Sequence, residues 1–115
     1  MFKFQRLNVW VKAKDYSREL FLIANRLPSS YRFSFADQLI RAGLSITNNI
    51  AEGTGRLTSL EQRNFYNMAK GSVYETVNIL IVLSEEGFVK SENLDGMVDG
   101  ADEISKMLTG LINRK

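Results

Sequence analysis

The sequence predicts an all-α protein: an antiparallel up-down-up-down four-helix bundle forming a single domain over residues 1–115. Three observations predict it. Apolar residues recur at three- and four-residue steps through four segments. The breaks between segments are short and carry helix start and stop residues. No segment reads convincingly as a strand, and helices of roughly 20 residues, roughly 30 Å long, suit an elongated bundle.

The first helix spans about Leu7 to Leu27. Leu7, Trp10, Ala13 or Lys14, Ser17, Leu20, Ala24 and Leu27 form its stripe. Pro28 ends it, because a proline disfavours helix at the preceding residue. After the loop "PSSYRFS" the second helix spans about Phe35 to Glu52, with Ser34 as N-cap and Asp37 near the positive end. Phe35, Leu39, Ala42, Ile46, Ile50 and Gly53 are its stripe, and Gly53 and Gly55 suit a left-handed C-terminal cap.

The third helix spans about Leu60 to Glu86 behind "SLEQ", a capping box with Ser59 and Gln62. Phe65, Ala69, Ser72 or Val73, Thr76, Leu80 and Leu83 share one seam. Val77, Ile79, Ile81 and Val82 place apolar groups elsewhere around it, as in a helix that is central or shared with a partner. The β-branched run "TVNILIVL" also admits a strand, but helical pattern flanks it on both sides. Gly87 is the stop. The fourth helix runs from Ser91 or Glu92 to near Asn113, with Leu94, Met97, Val98, Ala101, Ile104, Leu108, Leu111 and Ile112 at helical spacing.

The stretch "SITNNIAEGTG" interrupts this apolar logic. Gln38, Arg41, Ser45, Asn48, Asn49 and Glu52 fall largely on one face of the second helix. Asn64, Asn67, Gly71, Ser72, Glu75 and Asn78 do so on the third. Antiparallel packing brings the two faces together as a buried polar seam, with Arg41 paired to Glu75 and the Ser and Asn groups satisfying the rest. Such a network fixes register.

Composition narrows the chemistry. There is no cysteine and no histidine, so disulfides, thiolate nucleophiles, Cys-ligated zinc and the commonest general base are gone. Glu52 and Glu75 lack a histidine to complete a bundle metal site. "EGTGR" lacks the Gly-Lys-Ser/Thr of a phosphate loop. Ser45 and Ser72 lack an activating base. The expectation is no enzyme, no catalytic residue, no cofactor and no metal. No signal peptide is visible, and "VNILIVL" is too short to span a bilayer. A cytoplasmic protein without membrane contact is the default.

The net charge of +2 hides a polarity. Residues 1–70 carry eleven Lys/Arg and five Asp/Glu, hence +6; residues 71–115 carry four and eight, hence −4. Lys3, Arg6, Lys12, Lys14 and Arg18 crowd the first helix, and Arg56, Arg63 and Lys70 the start of the third. Phe2, Phe4, Trp10 and Tyr16 lie among them and are able to stack on bases, although large apolar groups are normally buried.

"QLIRAGLSITNNIAEGTGR", Gln38 to Arg56, resembles the signature of bacterial four-helix bundle proteins related to the ribosomal-RNA intervening-sequence protein. Gln38, Arg41, Ala42, Ser45, Ile46, Asn49, Ile50, Ala51, Glu52 and Gly53 match its pattern. "FYNMAKGSVYE" resembles a second family block through Ala69, Gly71, Ser72 and Glu75. The resemblance implies a four-helix bundle assembled as a homopentameric ring. A distant relative, the accessory variability determinant of diversity-generating retroelements, is also pentameric and binds nucleic acid and a reverse transcriptase.

Two functions are therefore expected. One is a homopentamer that contacts RNA or DNA phosphates through Lys12, Lys14, Arg18, Arg56 and Arg63. The other is a protein-interaction or scaffold module whose acidic C-terminal half faces a basic partner protein, through Glu85, Glu86, Glu92, Asp95, Asp99, Asp102 and Glu103.

Overall fold

A computed structural model describes residues 1–114. It contains four long helices, α1 (Asn8–Arg26), α2 (Asp37–Thr54), α3 (Ser59–Glu85) and α4 (Ser91–Ile112), in a body of 43 × 24 × 22 Å. Among the described residues there is no strand, so the "TVNILIVL" run is helical. Of its β-branched residues, Thr76 and Ile79 are buried, while Ile81 faces out.

Contacts between neighbours run in opposite directions along the chain. Ser17 lies against Gly43, and Ala24 and Leu27 against Ile40 and Ala36. Ser45 meets Ser72, and Gly53 meets Tyr66. Lys70 meets Thr109, and Val77 lies near Val98. Lys12 meets Glu103, and Ile23 lies near Asn93. Each helix is thus antiparallel to its sequence neighbours, and α4 closes the ring on α1. Leu20, Leu39, Ile46, Ile50, Leu80, Leu83, Ile104 and Leu108 fill the centre with essentially no exposure.

The helix ends correct three expectations. Ser34 does not cap α2. The chain is already coiled, through a 3-10 turn at Ser29–Tyr31 and a π-helical turn at Arg32–Ala36 that runs directly into α2. With helix upstream there are few free N–H groups to cap, and the Ser34 hydroxyl donates back to the Tyr31 carbonyl at 3.2 Å. At α3 the cap is Thr58, one residue earlier than expected, and it is a side-chain N-cap rather than a reciprocal box. Thr58 Oγ1 accepts the Glu61 N–H at 3.1 Å and donates to the Glu61 carboxylate at 2.9 Å. "TSLEQ" offers two adjacent N-caps, and Glu61 lies in the first turn, near the positive helix end.

The left-handed cap at Gly53 and Gly55 is also absent. Gly53 lies inside α2, and Gly55 is right-handed at φ −87°. Gly87, at φ 85°, is the only residue with positive φ among those described, as befits the stop of α3.

Two hydroxyls are buried between α1 and α3. Thr76 Oγ1 donates to the Val73 carbonyl at 2.7 Å, so the Tyr16 hydroxyl is the donor in its 2.8 Å bond to Thr76. Burial raises the Tyr16 pKa above the ordinary 10.0. The unfolded chain therefore ionises first. The stabilisation is complete below pH 10.0 and is lost as pH climbs from there through the folded value. Tyr16→Phe is expected to flatten the alkaline fall in melting temperature between about pH 9 and 12. Tyr66, whose pKa burial also raises, accounts for a remainder. An unchanged alkaline profile would refute the assignment.

Candidate nucleic-acid interface and polar face

Small side chains let α2 and α3 approach at Ser45 and Ser72. The Ser72 hydroxyl donates to Ser45 Oγ at 2.8 Å. Asn49 Nδ2 donates to the Ser45 carbonyl at 2.8 Å and to Ser45 Oγ at 3.0 Å. These three half-buried residues meet as the sequence suggests. The rest of the expected seam does not close: Gln38, Arg41, Glu52 and Glu75 are exposed.

Arg41 pairs within its own helix, with Nε 3.1 Å from Asp37 Oδ2, rather than with Glu75. A partner four residues back is reached without crossing to another helix. Glu52 likewise pairs with Arg56 at 3.6 Å. The seam is thus a narrow hydroxyl and amide contact at the floor of an open polar face.

The basic residues divide into two groups. On α1, Lys12 reaches Glu103 of α4 at 3.0 Å. Lys14 lies 5.7 Å over the Trp10 ring centroid and 4.0 Å from Asp15, and Arg18 is exposed. The aromatics there are tied to one another. Trp10 meets Phe4 edge to face at 5.1 Å, Phe4 stacks on Phe2 at 5.9 Å, and Tyr16 is buried.

The second group is at the α2–α3 end. Arg56 lies 4.6 Å over the Phe65 ring. Arg63, in the first turns of α3, lines a cavity of about 150 Å³ together with Lys3, Leu7, Thr54, Ser59, Gln62, Tyr66, Leu111 and Arg114. Among the described residues no carboxylate lines it. The Gln62 carboxamide is anchored by donating to the Arg56 carbonyl at 3.0 Å.

Sequence reasoning selects Arg56 and Arg63 but passes over Lys3 and Arg114 as contributors to this end. Lys3 is visible in the basic N-terminal cluster. Arg114 carries no local signal, because it joins the others only when α4 returns to the same end.

In sequence, no curated protein matches this chain. In structure it resembles a crystal structure from Bacteroides thetaiotaomicron of a protein with unknown function from the S23 ribosomal protein family. The TM-score is 0.85 and the identity 23%, over 92% of this chain and 99% of that one. At that identity the likeness speaks for the fold, the same all-α bundle. The family model described as the 23S rRNA-intervening sequence protein matches residues 5–110. With that match spanning all four helices, the chain belongs to the 23S rRNA-intervening sequence protein family.

Proposed function

We propose that this chain is a non-enzymatic bundle that assembles as a homopentamer and contacts RNA or DNA phosphates through its basic end. The observation that carries the reading is the gathering of Lys3, Arg63 and Arg114 around one cavity that no carboxylate lines among the described residues, with Arg56 adjoining. Lys14 and Arg18 extend the positive surface along α1. Lys12 contributes least, since Glu103 already neutralises it. The family's description, tied to an intervening sequence of 23S rRNA, favours RNA as the polyanion.

Self-association is supported by the outer face of α3. Leu60, Asn64, Asn67, Gly71, Tyr74, Asn78 and Ile81 follow one another at alternating four- and three-residue steps, all exposed and none charged. That is the spacing of a helix seam with a partner helix. Leu60, Tyr74 and Ile81 are 62%, 63% and 40% exposed. The number five rests on the family resemblance. A ring repeats the basic end and multiplies a weak phosphate contact through avidity.

The test is a low-salt shift assay with single-stranded RNA, beside sedimentation of the free protein. Five-subunit mass is expected, with log affinity falling against log salt at about −0.7 per phosphate neutralised. A flat salt dependence, or no RNA retained, would reject the reading.

One observation favours the protein-partner alternative. Between α1 and α4 a cavity of about 300 Å³ is lined by Asp15, Glu19 and Glu103 against the single cation Lys12, together with Tyr16, Met97 and Ile104. A partner protein recovered equally well after nuclease treatment would support that alternative.

A further inference from the structure

We propose that the cavity framed by Lys3, Arg63 and Arg114 is a binding site for one phosphate group, as a monoester or as free phosphate. For its nucleic-acid source the proposal rests on the reading above; for the phosphate site itself it does not.

Charge points there first. The cavity brings three cationic side chains to one small volume and has no carboxylate in its described lining. None of the three is within 4.0 Å of a carboxylate among the described residues. Like charges so arranged repel until an anion enters. Two acids adjoining the lining residues in sequence are engaged elsewhere: Glu52 with Arg56, and Glu61 with Thr58.

The donor set points the same way. Ser59, Tyr66 and Gln62 also line the cavity. Burial raises the Tyr66 pKa above 10.0, against the pull of Arg114, so its hydroxyl is a proton donor at neutral pH. Guanidinium forks match carboxylate and phosphate alike, and the further ammonium and hydroxyls suit the larger number of oxygens on a phosphate.

Construction and size agree. Gly53 lets the Tyr66 ring lie against α2, since even a Cβ there would stand 2.7 Å from Tyr66 Cε1. Gln62 is held by the Arg56 carbonyl, and Leu7 and Leu111 supply an apolar lining that strengthens the electrostatics. At about 150 Å³ the cavity is below the roughly 300–1,000 Å³ of sites for larger organic ligands. It takes a phosphate and leaves base and sugar outside.

The experiment uses the full chain at fixed protein concentration and ionic strength, with inorganic phosphate replacing chloride. It is read by melting temperature and by phosphorus NMR. Saturable binding is expected, weakened about 10- to 100-fold in Arg63→Gln and in Arg114→Gln and unchanged in Lys106→Gln. Sedimentation on each variant controls for folding and assembly.

A second arm compares 5′-phosphorylated with 5′-hydroxyl single-stranded RNA of one sequence. Preference for the phosphorylated end, lost in Arg63→Gln, assigns the site to nucleic-acid termini; saturable phosphate binding without that preference assigns it to free phosphate. Three results overturn the proposal. One is phosphate acting no differently from chloride. Another is equal stabilisation of all variants, as an excluded salt gives. The third is dissociation of the assembly by phosphate, which would mean that the cavity holds a carboxylate of a second copy.

Steep salt-dependent RNA binding that survives Arg63→Gln and Arg114→Gln, with phosphate acting no differently from chloride, would sink the phosphate site and leave RNA contact through the remaining basic residues standing. Saturable phosphate binding with no RNA retained would do the reverse.

Discussion

Leu80→Ala is expected to destabilise the bundle by about 2–5 kcal/mol. Leu80 has 0% exposure in the C-terminal third of α3, one turn from the equally buried Thr76. Removing its outer carbons forfeits their transfer out of water and leaves a void. Rigid helices on every side collapse into such a void only partly. For a chain of this size the melting temperature falls by on the order of 10 °C. Because subunit association contributes to apparent stability, the comparison requires thermal melts at one protein concentration. Leu80→Met conserves most of the volume and should cost less than about 1.5 kcal/mol. Equal losses for the two variants would mean that Leu80 is not where the core is tightest.

Gly53→Ala is the second large effect, and its sign runs against helix propensity. Alanine in mid-helix normally gains about 1 kcal/mol over glycine. Here the new Cβ would stand 2.7 Å from Tyr66 Cε1, 3.0 Å from Tyr66 Cδ1 and 3.2 Å from Phe65 Cβ. The Tyr66 ring is the closest obstacle, and the Phe65 Cβ beside it leaves no side-chain rotation that relieves the whole contact. A Cβ cannot rotate away from its own backbone, so α2 and α3 must move apart. Overpacking of this kind costs typically about 1–3 kcal/mol, which offsets the propensity gain and leaves a net loss. Gly110→Ala is the control, because Gly110 is an exposed α4 residue and a Cβ added there would meet nothing within 4 Å. It should be neutral or stabilising by up to about 1 kcal/mol. Urea melts of the pair decide the matter: two stabilised variants would show that the α2–α3 contact is loose at Gly53.

This glycine also shows how a sequence can be right about a residue and wrong about its reason. Its place in "AEGTG" marks it as special, and a turn is the local explanation. The actual constraint is the Tyr66 ring, thirteen positions on and across a helix interface. The apolar stripe of α3 selects Phe65 for the seam and passes over Tyr66. The two differ by about 100° around the helix, and both fit a stripe that is broad at that point. Only the position of α2 decides which ring is covered: Tyr66 is buried, and Phe65 is half-buried beneath Arg56.

The polar face divides along the same line. Ser45, Asn49 and Ser72 are legible because small hydrogen-bonding groups on facing stripes can satisfy one another wherever helices approach. An Arg41–Glu75 pair is not, because long charged side chains have several partners within reach. Coulomb attraction at an exposed site is too weak to make them cross between helices, so Asp37 holds Arg41 instead.

Residue types and their spacing along one helix are enough to establish the number, type and approximate limits of the helices, the Gly87 stop, the family and the missing reactive groups. None of these requires knowing what lies opposite. The ring that Gly53 accommodates, the charges left unpaired, and the meeting of Lys3, Arg63 and Arg114 at one cavity are settled by the folded bundle. They depend on distances between residues far apart in the chain. Those distances exist only once the helices have returned to the same end of the bundle.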